Sequence, residues 1–237
     1  SVHSRFDTRV FVKMCSSVAS LGHDLTLIVA DGRSDEVKNG VRIHDVGASK
    51  SRGDRMKNAP KRVLAAALNT DADIFHMHDP ELLQIGRALK RAGKRVVFDS
   101  HEDVPKQILG KHYLSKPAAW ALSKAFSVFE AYSCRGLDGV IAATPSIREK
   151  FMRYHSKVID INNFPLLQEL ESGGDWREKK NEVCYVGGIS RLRGIGIAVE
   201  AMQYVQSGAR FNLGGKFIDP ELERSNKSLP GWNCVND

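Results

Sequence analysis

Short apolar runs rich in β-branched residues alternate with longer helical spacers along the first two thirds of the chain. The runs cover residues 25–29, 41–43, 74–77, 95–98, 139–142 and 158–161. Strands that alternate with helical segments are typical of a parallel sheet covered by helices. The pattern therefore predicts an α/β domain with a doubly wound, Rossmann-like sheet.

The first predicted element is a helix over about residues 8–21, with apolar side chains at helical spacing and Gly22 after it. A doubly wound domain ordinarily begins with a strand. We therefore expect the first strand to lie upstream of this sequence, so that residues 1–7 would form the loop that follows it.

A second domain is expected beyond a polar linker. Apolar patterning stops after Phe164-Pro165 and resumes with a strand at 183–186, a helix at about 195–205 and a strand at 211–213. We predict a first domain over residues 1–167, a linker over 168–181 and a second Rossmann-like domain over 182–237. The second domain is expected to be incomplete, because so short a segment cannot cover both faces of a parallel sheet.

Two proline-containing turns mark the starts of helices that follow strands. Asp79-Pro80-Glu81 and Thr144-Pro145-Ser146 each place a capping side chain before a proline in the first helical turn. Such turns lie at the carboxyl edge of the sheet, where open α/β folds bind ligands. Functional side chains are therefore expected near His78 and Asp79.

The composition is that of a soluble globular protein. Apolar residues make up 42% of the 237 residues and charged residues 27%, which argues against disorder and fibrous repeats. No apolar run approaches the roughly 18–20 residues that span a bilayer. The opening residues lack the charged and apolar regions of a secretory signal, so a cytoplasmic location is expected, with peripheral attachment to the inner face of the cytoplasmic membrane as an option.

The formal net charge of +7 favours anionic partners without naming one. Nucleic acid is not expected, because no recognition helix or aromatic platform is evident. The densest basic segment runs over residues 50–57 and continues to Lys61-Arg62. It is either a solvated loop and helix face or a contact for an anionic membrane surface or an acceptor.

The four cysteines are scattered and form no C-x-x-C pair. Cys15, Cys134, Cys184 and Cys234 therefore do not indicate a zinc site or a redox motif. We predict that they are reduced core thiols of a cytoplasmic protein.

A glycine- and arginine-containing turn offers the clearest candidate chemistry. Gly187 and Gly188 follow a predicted strand, and Arg191 and Arg193 precede the next helix. Glycines permit close backbone approach, a helix amino terminus presents free N–H groups and the guanidinium groups add positive charge. This combination suits a phosphate, although a tight turn alone would use the same glycines.

Residues 185–194 resemble the start of the carboxy-terminal domain of glycosyltransferase family 4, in which an arginine and a lysine hold the diphosphate of the donor. Arg193 falls at the lysine position, whereas Gly188 falls at the arginine position, so that Arg191 is the candidate replacement. Three further segments resemble family motifs: FDSHEDVP at 98–105 resembles its D-x-H-E strand end, IFHMHDPEL at 74–82 its H-x-H-D-P strand end, and INNFP at 161–165 its interdomain turn.

The resemblance implies roles for residues of the first domain. His101 corresponds to the histidine that contacts the donor sugar near the reacting centre, and His78, Asp79 and Glu102 would contact sugar or acceptor hydroxyls. Arg9 lies where related enzymes approach the donor phosphates and the acceptor. The residues alone also allow structural roles, since His101 and Asp79 can cap helices and Glu102 can complement a helix dipole.

Metal binding is not expected. His76 and His78 face the same side of a strand, which raises a metal site with Asp79, but no further ligands are evident. Asp71-Ala72-Asp73 spells D-x-D, yet it precedes a strand and so lies at the amino edge of the sheet. We therefore expect neither a metal nor another resident cofactor.

The resemblance as a whole implies a two-domain GT-B enzyme, a retaining glycosyltransferase that moves a sugar from a nucleotide-diphosphate donor to a lipid-linked or glycan acceptor. A UDP-sugar and cell-envelope polysaccharide synthesis are the expected donor and setting. Alternatives are a nucleotide-sugar epimerase or sugar-phosphate synthase of the same fold, or a non-catalytic sugar- or nucleotide-binding module. The glutamate pair with which the family grips the donor would lie beyond residue 237, so we expect this sequence to be a fragment.

Overall fold

The computed structural model describes residues 4–111, 113–169 and 175–236. The chain divides into two units, Ser1–Leu166 and Leu167–Asp237. The predicted linker, residues 168–181, lies partly outside the described residues. Each unit combines parallel strands with helices, as the alternating pattern predicts.

The strands of the first unit form two sheets. The strands are β1 (Leu25–Val29), β2 (Glu36–Lys38), β3 (Val41–Asp45), β4 (Ile74–Met77), β5 (Arg95–Ser100), β6 (Gly139–Ala142) and β7 (Val158–Asp160). One sheet has the order β1-β3-β2 and the other the order β4-β5-β6-β7. All neighbours are parallel except β2 and β3, which are antiparallel. Each of the six predicted runs is thus a strand, whereas the short polar β2 was not predicted.

The second unit contains one parallel sheet. It consists of β8 (Glu182–Val186), β9 (Arg210–Gly214) and β10 (Val235–Asn236) in the order β10-β9-β8. Both β8 and β9 were predicted: β8 begins one residue earlier than expected, and β9 is one residue longer at each end. The two-residue β10 was not predicted.

Helices connect the strands in both units. The α-helices are α1 (Ser16–Ser20), α2 (Arg52–Lys57), α3 (Ala59–Leu68), α4 (Leu83–Arg91), α5 (Val104–Leu109), α6 (Lys116–Cys134), α7 (Pro145–Met152), α8 (Ile195–Met202) and α9 (Pro220–Lys227). Short 3-10 segments lie at Pro80–Leu82, Leu167–Glu169, Trp176–Glu178, Arg191–Arg193 and Pro230–Cys234. None of the described helices is long and apolar enough to cross a membrane.

The first helix begins as a π-helical segment, Thr8–Cys15, and continues as α1. One carboxylate oxygen of Asp7 accepts hydrogen bonds from the backbone N–H groups of Arg9 and Val10, each at 2.9 Å. This side-chain cap sets the start of the helix. Arg9 therefore lies in its first turn.

The two predicted proline turns differ in detail. Thr144 caps α7, because its hydroxyl accepts a hydrogen bond from the N–H of Ile147. The prediction for Asp79 was wrong: its side chain makes no capping hydrogen bond to the 3-10 segment that starts at Pro80. Asp79 is instead buried, with 1% of its surface exposed.

The core of the first unit has two clusters. The larger one packs Val96, Phe98 and Val140 of the four-stranded sheet against apolar side chains of α3, α4 and α7. The smaller one packs Val10 and Phe11 against the three-stranded sheet. Burial of these apolar side chains stabilises the sheets and so holds the carboxyl ends of the strands in place.

The cysteines are free thiols, but they do not all belong to the core. Cys15 and Cys134 are buried, and burial raises the pKa of their thiols to about 11 and about 12. Cys184 is exposed, so the prediction of a core thiol was wrong for it, whereas the half-buried Cys234 packs against the apolar core of the second unit. Cys184 is exposed because β8 lies at the edge of its sheet and the adjoining face is uncovered.

Candidate active site

A buried carboxylate organises the carboxyl edge of the four-stranded sheet. Asp99 is 0% exposed, and its Oδ2 lies 3.6 Å from Nε2 of His76, 3.6 Å from Nδ1 of His78 and 3.5 Å from Nε2 of His101. Nδ1 of His78 and Nε2 of His101 are 3.3 Å apart. Three imidazoles therefore surround one carboxylate.

The strand register explains this arrangement. β4 and β5 are parallel neighbours, with His76 opposite Val97 and Met77 opposite Phe98. Side chains two residues apart on a strand point to the same face. The rings of His76 and His78 consequently lie side by side, with centroids 4.3 Å apart, and they meet Asp99 of the neighbouring strand.

Arg9 joins the cluster from the first helix. Its Nη2 donates hydrogen bonds to Oδ1 of Asp99 at 3.2 Å and to the backbone carbonyl of Ile161 at 3.1 Å. Lys13, one turn later, donates to the carbonyl of Phe164 at 2.7 Å. The INNFP segment is thereby held against the first helix, and the charge of Arg9 is compensated by Asp99.

Burial and polar contacts set the protonation states. Burial alone would raise the pKa of Asp99, but the contacts from His101, His76 and His78 outweigh it and hold this pKa well below its usual range. Burial lowers the pKa of His78 to about 4. At neutral pH the cluster thus contains a carboxylate anion next to a neutral His78.

The same groups have the chemistry of a metal site. Ligand atoms of His76, His78 and Asp99 all lie within 4.8 Å of one another. The structure therefore brings Asp99, rather than Asp79, to the two histidines. The guanidinium of Arg9 also lies at this carboxylate, with its Nη2 3.2 Å from Oδ1 of Asp99.

The other predicted residues of the first unit lie around this cluster. His101 is partly buried at the end of β5, and Glu102 next to it is exposed. His78 and Asp79 are both buried. No role was predicted for Asp99 from the sequence, although a polar Asp-Ser-His triplet at the end of an apolar strand is a recognisable signal.

The glycine turn of the second unit joins two strand ends. Gly187 follows β8 with φ of +153°, and Gly215 follows β9 with φ of +151°, a region that favours glycine. A Cβ on Gly215 would come within 1.9 Å of the carbonyl oxygen of Gly187. The two turns therefore pack with a closeness that only glycine permits.

The predicted phosphate ligands lie next to these turns. Arg191 and Arg193 form an exposed 3-10 turn, and Gly194, with φ of +70°, separates it from α8. Arg191 approaches Asp219 only loosely, at 3.9 Å. The helix α8 begins two residues after Arg193. Within the described residues, no side chain caps its first N–H groups.

Several solved structures share this architecture. Sucrose-phosphate synthase from Thermosynechococcus elongatus aligns with a TM-score of 0.72 and 16% identity over 97% of this chain. An E. coli structure described as trehalose-6-phosphate bound with UDP-2-fluoro glucose aligns at 0.66 and 11% over 99% of this chain and 71% of its own. A trehalose-6-phosphate synthase aligns at 0.61 and 11% over 93% of this chain and 68% of its own.

These likenesses show the fold, which is of the GT-B type with Rossmann-like units, as predicted. The chain spans 64% of the length of the sucrose-phosphate synthase. The comparison with curated proteins yields no match.

Sequence comparison with protein families gives a more specific result. The model of the glycosyl transferase 4-like domain matches residues 8–160, which is well over half of the chain. The match includes both histidine motifs and Asp99. The resemblance noted in the sequence is therefore confirmed, and the chain belongs to the glycosyl transferase 4-like domain family.

Proposed function

We propose that this protein is a retaining glycosyltransferase, which transfers a sugar from a nucleotide-diphosphate donor to an acceptor hydroxyl. The observation that carries the proposal is the contact between His78 and His101 beside the buried Asp99, at the carboxyl ends of adjacent parallel strands. Ligands bind at this edge in open α/β folds. Family membership supports transfer of a glycosyl group.

The donor diphosphate is assigned to the second unit. Gly187 and Gly188 allow close backbone approach, and Arg191 and Arg193 are exposed cations beside an uncapped helix start. As the bond to the sugar breaks, negative charge builds on the diphosphate, and these groups would stabilise it. Arg193 has the leading role in this proposal.

The donor sugar is assigned to the histidine cluster. Asp99 orients His101 through its Nε2, and the depressed pKa of His78 keeps that imidazole neutral. A neutral imidazole can donate or accept a hydrogen bond to a sugar hydroxyl. His101 would position the donor sugar while the acceptor hydroxyl attacks the face that the diphosphate leaves.

No divalent cation is needed in this scheme. The arginines and the helix start neutralise the leaving group, and Arg9 balances Asp99 in the other unit. We therefore propose metal-independent transfer, without a resident cofactor.

The acceptor has two candidates. A lipid-linked or glycan acceptor in cell-envelope polysaccharide synthesis, used from the cytoplasmic side of the membrane, agrees with the family motifs. A sugar phosphate is the second candidate, because the likeness to the two sugar-phosphate synthases favours it. A UDP-sugar is the proposed donor, in agreement with the neighbour that holds UDP-2-fluoro glucose.

Calorimetric titration with UDP-, GDP- and ADP-sugars, in the presence of EDTA, tests the donor site. We expect one nucleotide class to bind, and its binding to persist without metal. Transfer assays with sugar phosphates and with lipid-linked glycans then separate the two acceptors. Absence of binding by every sugar nucleotide to the natively folded chain would refute the proposal, and binding that requires a divalent cation would refute its metal independence.

A further inference from the structure

The oxygen Oδ2 of Asp99 lies at nearly equal distances, 3.5–3.6 Å, from nitrogens of three imidazole rings. The two heavy atoms of an N–H···O hydrogen bond are normally about 2.7–3.2 Å apart, so these separations are longer than a hydrogen bond. Direct hydrogen bonding therefore does not account for the spacing around this oxygen. A gap of similar width separates the oxygen from each ring.

Two of these separations match the spacing of ligands around a zinc ion. Zn²⁺ binds imidazole nitrogen at about 2.0–2.1 Å and carboxylate oxygen at about 2.0–2.2 Å, so two such ligands at a tetrahedral angle lie about 3.3–3.5 Å apart. Nε2 of His76 and Nδ1 of His78 are each 3.6 Å from Oδ2 of Asp99. Ligand atoms of all three side chains lie within 4.8 Å of one another. A small inward movement would bring them onto one ion.

The strands hold these three ligands in place. His76 lies on β4, His78 follows the end of that strand, and Asp99 lies on the neighbouring strand β5. The two histidines share a face because they are two residues apart. The ligands are therefore brought together by the sheet itself, which lowers the entropic cost of binding an ion.

The types of ligand select the metal. Two imidazoles and one carboxylate suit zinc and similar transition metals, whereas Mg²⁺ and Ca²⁺ prefer ligand sets made of oxygen. Three protein ligands leave a fourth position open on a tetrahedral ion. The side chain of His76 is 31% exposed, whereas those of His78 and Asp99 are 8% and 0% exposed. An ion would therefore enter from the side of His76.

Arg9 limits how tightly an ion can bind. Its Nη2 lies 3.2 Å from Oδ1 of Asp99 and 3.5 Å from Oδ2, so its shorter contact is to the oxygen that faces away from the proposed ion. Ligating carboxylates commonly accept such a hydrogen bond. The positive charge of the guanidinium nevertheless repels a nearby cation. We therefore expect reversible binding rather than a permanently filled structural site.

We propose that His76, His78 and Asp99 form a zinc-binding site, and that a bound Zn²⁺ ion excludes the donor sugar from the histidine cluster. The second part rests on the proposed function, which assigns the sugar to this cluster. The ion would occupy Nδ1 of His78 and Oδ2 of Asp99, so these atoms would no longer be available to the sugar or to His101. Zinc is thus an inhibitor in this proposal, and the transfer reaction itself needs no metal.

Calorimetric titration with zinc chloride tests the site, with magnesium chloride as the comparison. We expect one equivalent of Zn²⁺ to bind and Mg²⁺ not to bind. His76→Gln removes one ligand and should bind Zn²⁺ at least about tenfold more weakly. His23→Gln is the matched control, because His23 is an exposed histidine between α1 and β1 and its replacement should leave zinc affinity unchanged. Circular dichroism checks that both variants are folded.

X-ray absorption at the zinc edge examines the wild-type complex directly, so that its result does not depend on a variant. We expect nitrogen and oxygen ligands at about 2.0–2.1 Å and no sulfur ligand at about 2.3 Å. A sulfur ligand would place the ion at a cysteine and overturn the proposed site. Absence of zinc binding to the folded chain, or undiminished zinc affinity in His76→Gln, would overturn it as well.

Titration with the sugar nucleotide, with and without one equivalent of Zn²⁺, tests the exclusion of the sugar. We expect zinc to weaken donor binding to the wild-type chain at least about fivefold, because the two compete. Zinc should have no such effect on His76→Gln, which controls for Zn²⁺ bound to the nucleotide. Undiminished donor affinity in the zinc-loaded chain would overturn the exclusion. A chain that binds Zn²⁺ but no sugar nucleotide would refute the proposed function, and the exclusion with it, while supporting the zinc site.

Discussion

The two units provide their candidate ligands in contrasting ways. In the first unit, Asp99 is fully buried and its charge is balanced by Arg9 and surrounded by histidines. In the second unit, Arg191 and Arg193 are exposed, and the backbone shape beneath them depends on Gly187 and Gly215. The first site is thus a buried cluster of paired polar side chains, and the second consists of exposed arginine side chains beside a tight glycine turn.

Because of this difference, substitutions in the two sites should affect different properties of the protein. Removing a buried charge leaves its partner uncompensated and destabilises the fold, whereas removing an exposed charge mainly changes what the surface attracts. Substitutions in the first site should therefore change the free energy of unfolding. Substitutions of the exposed arginines in the second should change affinity alone.

The largest effect is expected for Asp99→Asn. The substitution leaves Arg9 buried without its counter-charge, and we expect the free energy of unfolding to fall by about 3–5 kcal/mol. Denaturation in urea measures the loss. Asp138→Asn is the control, because Asp138 pairs with Lys90 at a partly exposed site and should cost only about 1 kcal/mol. If both variants lost the same free energy of unfolding, the buried pair of Asp99 and Arg9 would not stabilise the fold more than an exposed ion pair does.

The glycine turn is tested by Gly215→Ala. The new Cβ would meet the carbonyl oxygen of Gly187 at 1.9 Å, so the turn must open. We expect the free energy of unfolding of the second unit to fall by about 2–4 kcal/mol. Urea denaturation of that unit measures the loss. Gly208→Ala is the matched control: Gly208 also has a positive φ, +70°, but has no atom within 4 Å, and about 1 kcal/mol is expected. If Gly215→Ala lowered the free energy of unfolding no more than Gly208→Ala does, the turn would not require glycine at position 215.

The pH dependence of stability tests the buried histidine. The pKa of His78 is about 4 in the folded chain, against an ordinary value of 6.5 for histidine, so between these pH values the unfolded chain binds a proton that the folded chain does not. The free energy of unfolding should therefore fall as the pH decreases from 6.5 to 4, by roughly 3 kcal/mol at most. His78→Gln should have a flatter profile over this range. Parallel profiles for the variant and the wild type would argue that His78 titrates normally.

The smallest effect on the fold is expected for Arg193→Ala. We predict donor affinity about tenfold weaker by calorimetry, because a charge-assisted contact to the diphosphate is lost. The free energy of unfolding should stay within about 0.5 kcal/mol of wild type. Arg224→Ala, at another exposed arginine of the same unit, should bind the donor normally. Undiminished affinity in Arg193→Ala would remove this residue from the site.

The strands show what apolar patterning can predict. The runs that became β4, β5 and β6 are strongly apolar, and their burial leaves few alternatives to a central strand. β2 has no such signal, since Glu36 and Lys38 are polar and the strand exists through its antiparallel pairing with β3. Local sequence cannot show a strand whose stability comes from a neighbour.

The candidate site shows the limit of motif analysis. The D-x-H-E and H-x-H-D-P segments predicted functional roles for His101 and His78, but they predicted none for Asp99, the carboxylate that both histidines contact. Asp79 was predicted as a cap because it precedes a proline, and the structure buries it instead. Both outcomes depend on which side chain is turned inward at the sheet edge, and this is decided by packing between strands.

By itself, the sequence determined the alternation of strands and helices, the family and the position of the glycine and arginine turn, because these depend on residue order and local chemistry. Only the tertiary structure decided that Arg9 reaches Asp99 from 90 residues away and that three histidines share one carboxylate. Contacts of this kind arise when distant segments are packed together, and no local pattern encodes them.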